Sequence, residues 1–216
     1  VIIDGVTKIV NEYGNVIVLE DDIVTSQYFL QYMNDALELY KNEEQVMHIS
    51  GYFFPVDTQG LPDTFFYNQT SCWGWSTWKR AWQTYTNDAA YLLKTLRKSG
   101  RLHEFDMQGS FRFSSTLRAN AAGREHTWAI KWHASVFLKN GLCLHPKHSL
   151  VENIGHDGSG THAKSTQNFA TTLNNYRPKV QMINLTESSL ARSLASDFLK
   201  STKPSMMERL KKRLWK

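Results

Sequence analysis

The chain predicts an α/β fold, a mostly parallel sheet with helices packed against it. Three observations carry that reading. Val16 to Ile23, VIVLEDDI, is a short, largely β-branched run bounded by Gly14 and Thr25-Ser26. That is the pattern of a strand buried on both faces. Ser26 to Asn42 repeats apolar residues at helical spacing (Tyr28/Phe29, Tyr32/Met33, Ala36/Leu37, Tyr40), with Ser26 placed as its N-cap. Val46 to Ser50, VMHIS, is a second short strand ended by Gly51. Strand, helix and strand in that order form a right-handed parallel unit by default.

The remaining elements follow in order. Gly5 to Tyr13 has the pattern of a helix end, closed by Gly14. Gly51 to Leu61, with Pro55, Asp57 and Gly60, is a loop. Thr64 to Tyr67 is a short aromatic strand leading into SCWGWSTWKRAW, where Ser76 or Thr77 caps a helix carrying Trp78, Ala81, Trp82 and Tyr85. Asp88 to Lys98 is a helix stopped by Gly100. Arg101 to Gly123 gives no clear periodicity. Thr127 to Asn140 is an amphipathic helix with Ile130, Trp132, Val136 and Phe137 inward and Gly141 just beyond. Leu142 to His145 is a further strand, and Ser149 to His162 is a loop rich in Gly, Asn and His. Residues 1–165 thus form one α/β unit, 166–187 an irregular extension and 188–216 a basic amphipathic tail.

Composition narrows the function classes. The 216 residues suffice for one large domain, and 41% apolar content supports a real core. Two cysteines, Cys72 and Cys143, make no disulfide framework, which suits a reducing, cytoplasmic compartment. No apolar run reaches the length of a membrane span, and no signal peptide is visible. The chain opens on Val1 rather than Met, which reads as a piece of a longer protein. The net charge of +5 is uneven: the last 17 residues hold seven positives against Glu208, while the other 199 hold 18 positives and 19 negatives. The folded part is therefore near neutral, which argues against nucleic acid as a partner. Met206, Met207, Leu210, Leu214 and Trp215 against Lys211, Lys212 and Arg213 form a small basic amphipathic helix, suited to the inner face of an anionic membrane.

Four constellations could carry chemistry. Glu20, Asp21 and Asp22 lie at the carboxyl end of a predicted strand, where α/β sheets gather ligands. Three adjacent acids repel one another, and a hard divalent cation shared with a substrate phosphate would neutralise them. Trp73-Gly74-Trp75 holds two indoles around a glycine, a candidate stacking surface for sugar rings. Glu125-His126 precedes the helix bearing Trp128, Lys131 and Trp132, a position suited to a general base. Asn153 to His162 is a glycine-rich loop whose His156 and His162 could meet metal or phosphate.

Taken in order, VIVLEDDI, SCWGWSTWKRAW, TWAIKWHASVFLKNG and HPKHSLVENIGHDGSGTH resemble the bacterial glycosyltransferases of the GT-A fold found in surface-polysaccharide clusters. They resemble more distantly the inverting N-acetylglucosaminyltransferases of the Golgi. The resemblance covers about residues 1 to 165. It implies a GT-A-like, Rossmann-like sheet, without the nucleobase-binding strands that come first in that fold, since only nineteen residues precede Glu20. It further implies a nucleotide-sugar donor, a glycan or lipid-linked glycan acceptor, and Mn2+ or Mg2+ on the diphosphate. Asp22 then binds the metal with His162. Glu20, Asp21 and Trp75 face the donor, while Trp73, Trp128 and Lys131 face the acceptor. Glu125 is the expected base, with His126 as substitute. Two rival readings are a metal-dependent hydrolase built on Asp21, Asp22, His156 and His162, and a carbohydrate-binding module or inactive transferase fragment using the tryptophans.

Overall fold

The computed structural model describes residues 1–155 and 169–202. Helix α1 (Ile2–Tyr13) leads into strand β1 (Asn15–Val18), followed by β2 (Ile23–Thr25), α2 (Phe29–Leu39) and β3 (Val46–Ser50). Next come β4 (Thr64–Phe66), β5 (Trp75–Trp78) and the helices α3 (Lys79–Trp82), α4 (Ala89–Lys98), α5 (Leu102–Phe105), α6 (Phe113–Ala121) and α7 (Trp128–Leu138). Strands β6 (Leu142–Pro146) and β7 (Val151–Asn153) and helix α8 (Ser189–Ser201) complete the described chain.

The α/β class holds, but the sheet is mixed rather than mostly parallel. Five strands run in the order β1-β5-β3-β6-β4, and β2 with β7 forms a separate two-stranded ribbon. Among the described strands of this sheet β3 and β6 are the parallel pair; β5 runs antiparallel to both β1 and β3, and β4 antiparallel to β6. Strands β1, β3 and β6 therefore share a direction, as the strand-helix-strand expectation required. What that expectation missed is the reversed strand inserted between β1 and β3. With β5 as its partner among the described residues, β1 is a half-buried edge strand.

The inserted strand is WSTW, which the sequence predicts as a helix start. All four residues are buried. The hydroxyls expected to cap a helix are used otherwise: Thr77 Oγ1 donates across the sheet to the Met47 carbonyl at 2.8 Å, and Ser76 Oγ lies 3.4 Å from Met33 Sδ on α2. The Trp78 indole N–H donates to Leu37 O at 3.1 Å. Helix α3 begins only at Lys79, and its Arg80 guanidinium donates to the carbonyls of Tyr40 and Lys41, just past the end of α2, and of Val46 at the start of β3.

Other boundaries follow local signals. Gly14 closes α1 in the left-handed conformation, and Asp88 caps α4 by accepting from Tyr91 N–H at 2.8 Å. Ser26 does not cap α2; the helix starts later, at Phe29, and the Ser26 carbonyl accepts from Phe29 N–H. Helix α7 is buried along its whole middle, from Ile130 to Phe137, rather than on one stripe. Trp132 and Val136 pack with α1 and the sheet, while Ile130, Ala134 and Phe137 pack with α4, α5 and α6. A helix between two layers has no solvent face, which is why its polar residues gave a false amphipathic pattern.

Residues 169–187 are irregular, as expected, and end in a bridge between Glu187 and Phe66. Helix α8 is capped by the Ser188 hydroxyl and docks Ala191, Ala195 and Leu199 into the main core. Residues 188–202 thus belong to the fold, not to a free tail. The basic helix expected over 206–215 lies outside the described residues.

Gly74 has φ +57, and a Cβ there would lie 2.8 Å from Val151 Cγ1 and 3.0 Å from Phe29 Cε2. Gly74→Ala combines a left-handed penalty with overpacking and should cost about 2–4 kcal/mol in urea unfolding. Gly123→Ala, at φ +69 with nothing nearby, should cost only the backbone term of about 1–2 kcal/mol.

Candidate functional site

The acidic triplet sits where the chain changes sheets. Strand β1 ends at Val18, the next strand pairs in the β2–β7 ribbon, and residues 19–22 make the turn between them. The Glu20 carbonyl accepts from Ile23 N–H at 3.2 Å, closing that turn. Glu20 and Asp22 are half-buried, and Asp21 is exposed. Burial is the largest cause holding the Glu20 carboxyl above its ordinary range; the Asp22 and Asp21 charges add to it, and a hydrogen bond from the Trp128 side chain opposes it.

Asp22 is held by β7. Its Oδ2 accepts from the Asn153 amide at 3.1 Å, and its carbonyl accepts from Ile154 N–H at 2.9 Å. A Cβ on Gly155 would lie 2.6 Å from Asp22 Oδ2, so a side chain there would displace the Asp22 carboxylate. Asp22 Oδ1 is buried and has no hydrogen-bond partner among the described residues, nor does a lysine or arginine pair with Asp22 there. An orphaned carboxylate oxygen beside a second carboxylate fits a hard cation that takes one or two protein oxygens and completes its shell from phosphate and water. Among the described residues no group of three or more His, Cys, Asp or Glu side chains stands ready to hold a metal ion by itself.

Behind the turn lies a stacked aromatic layer. Trp128 stacks on Trp75 at 5.3 Å between ring centroids, and Trp75 stacks on His48, also at 5.3 Å. The Trp132 indole N–H donates to His48 Nδ1 at 3.1 Å. Trp75 is 0% exposed, so its ring is not open to a donor sugar. The expectation of a stacking face at Trp75 is corrected: the indole supports Trp128, which in turn touches Glu20. Trp73, two residues earlier, is half-buried and meets Tyr52 edge-on at 4.7 Å.

Trp73 borders a cavity of about 330 Å3, walled by aromatic residues including Tyr52, Phe54, Phe111, Phe113 and Phe169. Cys72 lines the same cavity. By area Cys72 is only partly covered, yet enough protein surrounds its sulfur to push the thiol up to about 12, with the Glu20 and Asp22 charges contributing. That electrostatic influence ties the cavity wall to the acidic turn.

The predicted base residues stand elsewhere. Glu125 and His126 are exposed and line a polar depression of about 240 Å3 with Asn87, Asp88, Asn120 and Lys131. Lys131 is 7% exposed, and its Nζ donates to Asn87 Oδ1 at 2.5 Å. Burial lowers its pKa. The fold therefore groups Glu20, Asp22, Trp128 and Trp75 in one place and Glu125, His126 and Lys131 in another. His156 and His162 lie outside the described residues. Sequence reading overlooked His48 and His133, whose only signal is a histidine inside an otherwise apolar run. No protein-family model matches the chain, and no curated protein matches it. No helix among the described residues is long and apolar enough to cross a membrane.

Three histidines, His48, His133 and His145, are buried, and burial lowers all three; His133 and His145 are pushed down to about 4. Unfolded, each titrates near 6.5. Between those values the unfolded chain binds more protons, so stability is complete above pH 6.5 and falls as the pH drops toward 4. The slope should approach about 1.4 kcal/mol per pH unit for each histidine. Urea midpoints measured from pH 7.5 to 4.5 should show the decline, and His133→Phe should make it shallower.

Proposed function

We propose that the chain is a metal-dependent glycosyltransferase of GT-A-like fold, moving a sugar from a nucleotide-sugar donor to a glycan acceptor of the cell envelope. One observation supports this above the others: the half-buried Glu20 and Asp22, with an unpartnered Asp22 oxygen, lie at the carboxyl end of β1 near an aromatic cavity wall. Sugar rings present apolar C–H faces beside hydroxyls, and such a juxtaposition of rings and carboxylates serves both.

In this reading Asp22 holds Mn2+ or Mg2+ through its free oxygen. When bound, the cation stabilises the negative charge that builds on the departing diphosphate. Glu20 and Asp21 hold the donor ribose and sugar. Trp73 walls the acceptor. The acceptor oxygen bonds to the anomeric carbon as the bond to the diphosphate breaks, and its proton passes to a carboxylate or imidazole; Glu125 and His126, expected in that role from the sequence, line a separate depression. Both stand in solvent at the start of α7, the helix whose Trp128 contacts Glu20. The basic C-terminal stretch would place the enzyme at the cytoplasmic face of the membrane, within reach of a lipid-linked acceptor.

A second reading, glycan binding without transfer, is favoured by the cavity alone. Calorimetric titration with a panel of nucleoside diphosphates, with and without Mn2+, separates the two. The expected result is binding that requires Mn2+ and weakens at least ~10-fold in Asp22→Asn, with the circular dichroism spectrum unchanged. Absence of any Mn2+-dependent binding, or an Asp22→Asn variant that binds as tightly as the parent, would sink the transferase reading. Glycan binding that survives Asp22→Ala would then support the second.

A further inference from the structure

We propose that the aromatic cavity is a binding subsite for an uncharged, flat ring carrying at least one hydrogen-bonding group. The subsite goes beyond sugar transfer and needs no metal. Three features of the cavity point to it.

The first is charge. Among the described residues, no Asp, Glu, Lys or Arg lines the cavity. A phosphate or a carboxylate placed there would lose its hydration without an opposite charge in return. The occupant is therefore neutral, and the diphosphate of a donor belongs outside, toward the acidic turn.

The second is shape. The volume of about 330 Å3 lies at the lower end of small-molecule sites, room for a ring with substituents. Tyr52, Phe53 and Tyr67 are buried, whereas Trp73, Phe111, Phe113 and Phe169 stay half-exposed around the same space. Phe111 and Phe113 lie 4.6 Å apart between centroids, and Tyr52 and Trp73 4.7 Å apart. Ring edges and faces set at these spacings favour a further aromatic ring over a flexible alkyl chain.

The third is an unpartnered polar group. His133 is 5% exposed, lines the cavity, and has a buried Nδ1 with no hydrogen-bond partner among the described residues. Its ring is fixed, stacked on Phe105 at 5.0 Å and tilted against Phe113 at 4.7 Å. It also borders a neighbouring void of about 20 Å3, with room for a water. Burial keeps the imidazole neutral, so it has one donor and one acceptor to give. A buried polar group left unpaired is costly, and a ligand group that bonds it recovers that cost.

Within a nucleotide-sugar enzyme such a ring has two sources, the nucleobase of the donor or an aryl group on the acceptor. Calorimetry without metal distinguishes them, using uridine, adenosine and phenyl β-D-glucoside as ring probes and methyl β-D-glucoside as the ringless control. At least one ring probe should bind at least ~10-fold more tightly than the control. Uridine or adenosine assigns the ring to the donor, and phenyl glucoside alone assigns it to the acceptor. Filling the space with Ala129→Phe, or with Thr116→Phe from a different helix, should abolish that binding. His133→Phe keeps the ring packing and should weaken it by roughly 2- to 10-fold, the effect of one hydrogen bond. Failure of all ring probes to bind would overturn the subsite. So would equal binding of the control, or ring binding that both His133→Phe and a folded filling variant leave unchanged. None of these outcomes depends on Asp22, so the subsite and the transferase reading fail separately.

Discussion

The Gly74 carbonyl accepts from Gly51 N–H at 2.7 Å, with Phe29 and Val151 closed over both residues. This backbone contact admits β5 into the sheet between β1 and β3. Without side chains at either position, the turn before β5 can lie against the end of β3. The consequences spread outward. In an extended chain Trp73 and Trp75 would share a face, being two residues apart. The left-handed residue between them breaks that alternation. Trp75 enters the buried stack with His48 and Trp128, and Trp73 goes to the cavity wall. The same insertion leaves β1 at the sheet edge, so its acidic end meets solvent instead of a neighbouring parallel strand.

Charge at that edge is managed with neutral donors. The Trp128 side chain lies close enough to Glu20 to favour its charged form, and Asp22 accepts from the Asn153 amide. Neutral donors can hold the acids in place but do not cancel their negative charge. A partner of opposite sign would gain from that residual repulsion. The stack behind Trp128 keeps the arrangement rigid, since Trp75 and Trp132 are almost wholly buried around His48. The acidic turn is thus anchored on two sides, by the β2–β7 ribbon and by helix α7.

The other side of the core is closed by the end of the described chain. Glu187 bridges to Phe66 and pairs with Arg192 at 2.7 Å, which sets the start of α8 against β4. Phe198 on α8 meets Phe54 and Phe169, two of the rings around the cavity. Helix α8 therefore supports the cavity wall as well as the core. The pair is a third exposed on its arginine side, so its contribution is modest, and the buried Ala191, Ala195 and Leu199 account for most of the docking.

Local signals were enough for the elements whose partners lie close in sequence. Gly14 after α1, Asp88 at the start of α4, the apolar repeat of α2 and the run VMHIS each depend on a few neighbouring residues, and the structure has these elements there, with α2 shorter than expected at both ends. The acidic triplet at a strand end was legible for the same reason. What the sequence could not decide was which strands meet. WSTW carries hydroxyls suited to a helix cap, and only Met33 and Met47, some thirty to forty residues away, turn them to a strand's use. Helix α7 has polar residues that look outward until layers on both sides cover them. The cavity draws its walls from Tyr52 to Phe169, and no local pattern records a space between distant segments. Periodicity is a property of neighbouring residues, whereas strand order and cavities arise from chain crossings, and those were decided by the tertiary structure.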